Sequence, residues 1–274
     1  MNLTEQQIER YSRHIILPEV GGKGQAQLLV GKVLIVGAGG LGSPAALYLA
    51  AAGVGAIGLI DADVVDLSNL QRQVIHATSD LGRPKVESAG SKMRAINPDV
   101  TVQAYRERLT AANAPAVLKD YDFVIDGTDN FASKFLVADA CHFMQKPYSH
   151  AGILRFEGQA LTVIPGKTTC YRCVFGAPPP PGAAPSCSQA GVLGVVAGVL
   201  GCIQATEAAK FLLGIGDLLT DRLLIYNALR MKFREVTLRP NRQCPLCGEH
   251  PSIVELRDEA APVCDLRAGR SPEQ

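Results

Sequence analysis

Four cysteines in two tight pairs, CYRC at 170–173 and CPLCG at 244–248, are thiolates spaced to take up a metal. Cys170, Cys173, Cys244 and Cys247 form the all-sulfur set suited to tetrahedral Zn²⁺. About seventy residues lie between the pairs, more than a compact zinc ribbon spans, so a shared ion would clip remote segments together. Four sulfurs also leave no open position for water, which makes the site structural. A redox dithiol is the alternative, and neither pair is expected to open a helix behind a strand as a thioredoxin motif does. Cys187 stands apart in the proline-rich stretch GAPPPPGAAPSCSQ, where an exposed thiolate can attack an activated acyl group or carry sulfur. Cys141 and Cys202 sit among apolar residues and read as core.

A second constellation concerns phosphate. KVLIVGAGGLGS at 32–43 is an apolar run feeding a glycine turn, with Gly37, Gly39 and Gly42 in G-x-G-x-x-G spacing. Missing side chains permit the tight turn and bring backbone N–H groups at a helix N-terminus up to a phosphate. Asp61 closes the next strand nineteen residues beyond Gly42, where a carboxylate reaches a ribose hydroxyl. A nicotinamide enzyme, a flavin enzyme and an ATP-using enzyme all open this way. The following segment favours a triphosphate: DADVVDLSNLQRQ places Asn69, Arg72 and Gln73 just past Asp61, and Lys85 follows in GRPKVES. Arg72 can bridge phosphate oxygens with its planar fork, and Lys85 is a compact charge for the α-phosphorus. Arg83, beside a proline in a turn, reads as a solvated surface charge. DGTDN then supplies Asp126 and Asp129 at the carboxyl end of a later strand. Asp129 is the candidate Mg²⁺ ligand, because Mg²⁺ needs few protein carboxylates beside phosphate oxygens and water. Asp126 is expected to brace the turn.

The elements that must position these groups follow from periodicity. At 274 residues the chain suits one large α/β domain with extensions. Residues 5–17 read as a short helix running into Pro18, within an N-terminal helical extension over 1–31. From Val33, strand VLIV, a helix opening at Ser43 as N-cap and closing at Gly53, and strand AIGLID make a βαβ unit. KVESAGSKMRAI and APAVLKDY predict helices, while VTVQAY and DFVIDGTDN predict strands, giving a nucleotide-binding part over 32–150. Over 151–257, GILRFEGQALTVIP and RLLIYNALRMKFREVTL predict strands of a second, partly antiparallel sheet region. The expected fold is α/β: a Rossmann-like, doubly wound, mostly parallel sheet extended by antiparallel strands, one domain over 1–257, with a polar tail at 258–274. The apolar window 191–216 holds Gln204, Glu207 and Lys210, so a buried helix is expected there and not a membrane span. With 27 Lys+Arg against 26 Asp+Glu, no global field points to nucleic acid or an anionic membrane. The polar N-terminus and the paired cysteines suggest a reducing cytoplasm.

Taken in order, RYSRHIIL, GAGGLGS, DADVVDLSNLQRQ, GRPKVES, DGTDN, CYRC, SCSQAGVLG and CPLCG resemble the bacterial ubiquitin-activating-like adenylyltransferases. These are the molybdopterin-synthase adenylyltransferase and its relative that activates the thiamine-pathway sulfur carrier. The resemblance implies that Gly40, Asp61, Ser68, Asn69, Leu70, Gln71, Arg72, Lys85, Asp129 and Asn130 line an ATP site. It also implies a homodimer in which Arg13 reaches the partner's phosphates. The implied reaction joins the C-terminal carboxylate of a small ubiquitin-fold sulfur carrier ending in Gly-Gly to the α-phosphorus of ATP, releasing pyrophosphate. In the resembling family a cysteine occurs at the position of Cys187. A fused sulfurtransferase domain would need about a hundred further residues, so the sulfur donor is expected to be a separate protein. Two rivals remain open here: a nicotinamide-dependent oxidoreductase, which leaves Arg72, Lys85, Asp129 and the paired cysteines unexplained, and a binding module that docks the carrier without chemistry.

Overall fold

Near-continuous apolar runs become the central strands of one sheet. In the computed structural model, which describes residues 3–180 and 190–259, β1 (Lys32–Val36), β2 (Ala56–Ile60), β3 (Thr101–Tyr105), β4 (Phe123–Asp126) and β5 (Tyr148–Leu154) run parallel. Beyond β5 the direction alternates through β6 (Glu157–Val163), β7 (Arg222–Asn227) and β8 (Lys232–Thr237). The order is β3-β2-β1-β4-β5-β6-β7-β8, a single eight-stranded sheet. The antiparallel strands therefore extend the parallel sheet, as expected, without a break. The reason is β5, which pairs in parallel with β4 on one side and antiparallel with β6 on the other.

Helices cover both faces, as a parallel sheet requires. On one face α3 (Gly21–Val30), α4 (Gly42–Ala51), α5 (Lys85–Ile96) and α9 (Gly194–Leu213) bury Leu28, Leu49, Met93 and Ala208 against Val33, Ile35, Ile57 and Phe123. On the other, α6 (Ala114–Leu118), α7 (Phe131–Phe143) and α8 (Tyr171–Phe175) bury Leu118, Phe135 and Tyr171 against Leu34, Ile60, Val124 and Leu161, together with Cys170 and Cys244. The N-terminal segment is two short pieces, α1 (Glu5–Arg10) and α2 (Ser12–Ile15), broken at Tyr11 and not one helix. Tyr11 explains the break: its buried ring lies against Gly53, where a Cβ would stand 2.5 Å from it, and its hydroxyl accepts from Asn97 Nδ2 at 2.8 Å.

Helix α9 has the length and apolarity of a membrane span, yet it packs as a core helix. Buried Gln204 donates to the carbonyls of Asp126 and Ser149 at 2.8 and 2.9 Å, bracing β4 against β5. Buried Glu207 accepts from Thr162 Oγ1 and the Leu219 amide and pairs with Lys210. Helix α4 starts at Gly42, so Ser43 is its second residue and not its N-cap. The Ser43 amide already bonds to the Gly39 carbonyl, and its buried hydroxyl has no partner among the described residues. Gly53, just past the C-cap Ala52, takes the expected left-handed turn with φ +81°.

Candidate active site

The strand order reverses between β1 and β4, and there the carboxyl ends of the strands open a cavity of about 1020 Å³. The glycine turn forms one wall. Gly37 has φ +96°, and a Cβ on it would meet the Gly127 carbonyl at 2.8 Å; a Cβ on Gly42 would stand 1.9 Å from the Gly37 carbonyl. These two glycines are required by packing of the turn itself. Gly39 and Gly40 line the cavity, and Gly39 has only the Gln73 side chain within 3.5 Å of where its Cβ would be. That is the open backbone a phosphate needs. Gly42 lies behind the wall, in α4.

Asp61 lines the same cavity, but both its oxygens are engaged: the Ala38 amide donates to one and the Asp63 amide to the other, each at 2.8 Å. Burial pushes its carboxyl above the usual range, and nearby Lys85 pulls the other way. Lys85 is buried at the start of α5, with Nζ 3.0 Å from Asp63 Oδ2. The fold thus gives the compact charge of Lys85 a carboxylate partner that its place in GRPKVES does not reveal. The turn has a further brace in buried His76, whose Nε2 lies 3.0 Å from the Ala38 carbonyl and whose Nδ1 lies 2.9 Å from Ser88 Oγ. Burial lowers the His76 pKa and keeps the ring neutral.

Of the run Ser68 to Arg72, only Arg72 reaches the cavity. Ser68 and Asn69 sit in a short 3₁₀ turn capped by Asp66, whose carboxylate accepts from the Ser68 amide and hydroxyl. Leu70 and Gln71 do not line the cavity, and the Gln71 carbonyl abuts Gly194 at the start of α9. Arg72 donates through one nitrogen to the Ser68 carbonyl at 3.1 Å, leaving the rest of its fork for a ligand.

Beyond β4, Asp126 is fully buried and braces the loop as expected. It accepts from the Thr128 amide and hydroxyl, from His150 Nδ1 at 2.8 Å and from Lys134 Nζ at 3.3 Å. Burial opposes its charge, yet Lys134 and His150 hold its carboxyl well below the ordinary carboxylate range. Asp129, three residues on, is exposed, lines the cavity and has no hydrogen-bond or ion-pair partner among the described residues. Asn130 also lines the cavity and serves as N-cap of α7, accepting from the Ser133 amide at 2.9 Å. Lys134 and His150 escaped the sequence reading. Their only signal was indirect: a buried Asp126 needs counter-charges, and nothing in the sequence says from which strand.

The four paired cysteines meet. Their sulfurs lie within 4.8 Å of one another, with separations of 3.3 to 3.6 Å for Cys170–Cys173, Cys170–Cys244, Cys173–Cys247 and Cys170–Cys247. Sulfurs at ~2.3 Å around a tetrahedral ion would stand about 3.8 Å apart, so the set fits one metal. The Asn241 amide donates to Cys173 Sγ at 3.3 Å. Burial pushes the Cys244 thiol pKa up, but hydrogen bonds from the amides of Cys247 and Leu246 and from the neighbouring thiols of Cys170 and Cys247 together bring it below its ordinary value. Contrary to expectation, Cys170 does open a short helix, α8, behind β6. Its sulfur partners nevertheless include the remote pair, so the four thiols form one cluster that could hold a metal ion and not a local dithiol. Cys141 is core, whereas Cys202 is only half-buried on α9. Cys187 lies outside the described residues. Arg83 is a surface charge, 3.5 Å from Asp80. Asp258 and Glu259, expected to begin a tail, are fastened to the Ala111 amide and to Arg172; 260–274 lie outside the described residues. Arg13, exposed on α2, makes no ion pair with Glu9 or Glu19 among the described residues.

A family model described as the ThiF family matches residues 11–246, which contain the whole cavity and three of the four paired cysteines, ending one residue short of Cys247. The chain belongs to the ThiF family. A sulfur carrier protein adenylyltransferase of Thermus thermophilus is 47% identical over 272 residues, covering 97% of this chain and 100% of that protein. The SAMP-activating enzyme E1 of Haloferax volcanii is 50% identical over 249 residues, covering 91% and 92%. A probable adenylyltransferase/sulfurtransferase MoeZ of Mycobacterium tuberculosis is 48% identical over 260 residues, and the match spans 93% of this chain and 65% of that protein. Among solved structures, E. coli MccB with MccA-N7isoAsn superposes with a TM-score of 0.77 at 23% identity, over 87% of this chain and 74% of that one. That likeness shows a shared fold, the mostly parallel α/β sheet described above.

Proposed function

We propose that this protein is an ATP-dependent adenylyltransferase acting on the C-terminal Gly-Gly carboxylate of a small ubiquitin-fold sulfur carrier. The observation that carries the reading is one cavity with two ends. The glycine turn, Asp61, Arg72 and Lys85 make a phosphate-binding end, and Gly152, Gly158 and Gln159 continue it along the antiparallel strands, where a tail can enter. The relatives named as a sulfur carrier protein adenylyltransferase and an activating enzyme support the same reaction.

The carrier carboxylate is already a nucleophile at neutral pH. One of its oxygens bonds to the α-phosphorus of ATP as the bond to the bridging oxygen breaks, and pyrophosphate leaves with that electron pair. No general base is required, so rate comes from positioning and charge neutralisation. In this reading the open N–H groups near Gly39 and Gly40 hold phosphate, and Asp61 fixes the turn while facing the ribose. Arg72 and Lys85 lie where negative charge shifts toward the pyrophosphate. The unpartnered carboxylate of Asp129 would hold Mg²⁺, which when bound spreads that charge further. Asn130 orients the loop by capping α7, and Ser68, Asn69, Leu70 and Gln71 act from behind as the support of Arg72. Arg13, free on the surface of its own subunit, would reach the phosphates of a partner in a homodimer.

The metal held by the cysteines is proposed to be Zn²⁺, in keeping with four sulfur donors and a reducing cytoplasm. Cys187 would act only after adenylation, and a separate protein would donate the sulfur. The test is exchange of radiolabelled pyrophosphate into ATP with purified Gly-Gly-ended carriers. Carrier-dependent exchange is expected. Stabilisation by NADH without Mg-ATP, or no exchange with any carrier of the molybdopterin and thiamine types, would defeat the reading.

A further inference from the structure

His150 and Gly152 stand two apart on one face of β5, and Gln159 of β6 is the cross-strand partner of Gly152. His150 Nδ1 is 2.8 Å from an Asp126 oxygen, and an ionised carboxylate has no proton to give, so the ring hydrogen sits on Nδ1. Burial, reinforced by the Lys134 charge, keeps the ring neutral. Nε2 is therefore a bare acceptor. It is buried, it belongs to a residue lining the cavity, and it has no hydrogen-bond partner among the described residues. A buried acceptor left in that state costs free energy unless a ligand satisfies it.

The missing side chain of Gly152 leaves a recess beside this nitrogen. A Cβ there would stand 3.7 Å from His150 Nε2 and 3.5 Å from Gln159 Nε2, and the Gln159 carboxamide has no hydrogen bond among the described residues. The register pairing Asp126 with His150 sets the recess one strand over from the loop that carries Asp129. One acceptor and one carboxamide donor around a space with no side chain complement a single peptide group.

We propose that this recess is the subsite for the last peptide group of the carrier tail, His150 Nε2 accepting its N–H and Gln159 donating to its carbonyl. The proposal rests on the adenylation reading and adds the residues that select a glycine end. Its test uses a carrier semisynthesised with glycolate in place of the final glycine, which exchanges that N–H for an ester oxygen at nearly constant shape. With the wild-type enzyme the ester should raise the carrier KM about tenfold and leave the KM for ATP unchanged. Gly152→Ala adds a methyl whose nearest contacts are ordinary, so its Tm should match wild type, while it raises the normal carrier's KM at least about tenfold. His150→Phe keeps the tilted ring contact with Tyr171 but removes the acceptor. In either variant the ester should then cause no further loss. An unchanged carrier KM in Gly152→Ala, or an ester penalty undiminished in both variants, overturns the subsite. So does a shift confined to the KM for ATP, which would put Nε2 on the nucleotide. In each of those cases carrier-dependent exchange persists; its absence in the wild type would instead overturn the adenylation reading, and the subsite with it.

Discussion

Strands β1 and β4 in the parallel half of the sheet are buried along their length apart from Lys32, whereas every residue of β8 in the antiparallel half is exposed. The parallel half has helices on both faces, and its buried charges are settled internally, Asp126 by Lys134, His150 and Thr128, Lys85 by Asp63. The antiparallel half buries Ala151, Ala160 and Tyr226 against Val196 and Leu200 of α9, and only its outer strand β8 lies open. It is fastened at two points: the four sulfurs join α8 to the chain beyond β8, and Arg172, between two of those cysteines, pairs with Asp139 of α7 at 2.6 Å. Hydrophobic burial alone organises the half proposed to bind nucleotide, and the four-cysteine cluster adds a candidate cross-link to the half proposed to receive the carrier.

Removing the metal tests this contrast most severely. Chelation, or Cys244→Ser, should cost several kcal/mol of stability and accelerate hydrogen exchange of β6 to β8 before that of β1 to β4. Uniform acceleration would mean that the halves form one cooperative unit. Metal analysis of the freshly purified protein should return one Zn²⁺ per chain.

Within the nucleotide half, Asp129→Asn should depress pyrophosphate exchange by about two to three orders of magnitude, with Tm unchanged because its carboxylate has no partner to lose among the described residues. A fall in Tm would make Asp129 a structural group like Asp126. Arg13→Ala should lower turnover by roughly ten- to a thousandfold, again without loss of stability. Mixing Arg13→Ala and Asp129→Ala protomers should restore activity, because one site per heterodimer then keeps both groups. Heterodimers as inactive as their parents would assign Arg13 to its own subunit's site.

The smallest expected effect is one of pH. The folded-state pKa of His76 lies below its free value because burial disfavours the cation. The unfolded chain thus binds a proton that the folded chain refuses, and the stability held above the free histidine pKa declines as pH falls through it. His76→Gln should flatten the slope of Tm against pH between about 7 and 5. His150 carries a shift in the same direction, so the slope should diminish and not vanish. A steeper slope in the variant would contradict a neutral His76.

Local pattern made much of this legible in the sequence. Apolar runs 33–36 and 123–126, the periodicity of KVESAGSKMRAI and the glycine spacing of the turn depend on neighbours in the chain, and they return as β1, β4, α5 and the cavity wall. The pairing of CYRC with CPLCG was also readable, because four thiolates in two C-x-x-C pairs have few other uses. The fold alone decided which polar groups meet. Lys85 found Asp63, Asp126 found Lys134 and His150, and His76 came under the glycine turn through contacts between separate elements. It also withdrew Ser68 to Gln71 from the cavity and made β5 the strand at which the sheet turns from parallel to antiparallel. Spacing along a strand or helix dictates which face a side chain takes, but what lies opposite that face is determined by strand order and packing, which no local pattern encodes.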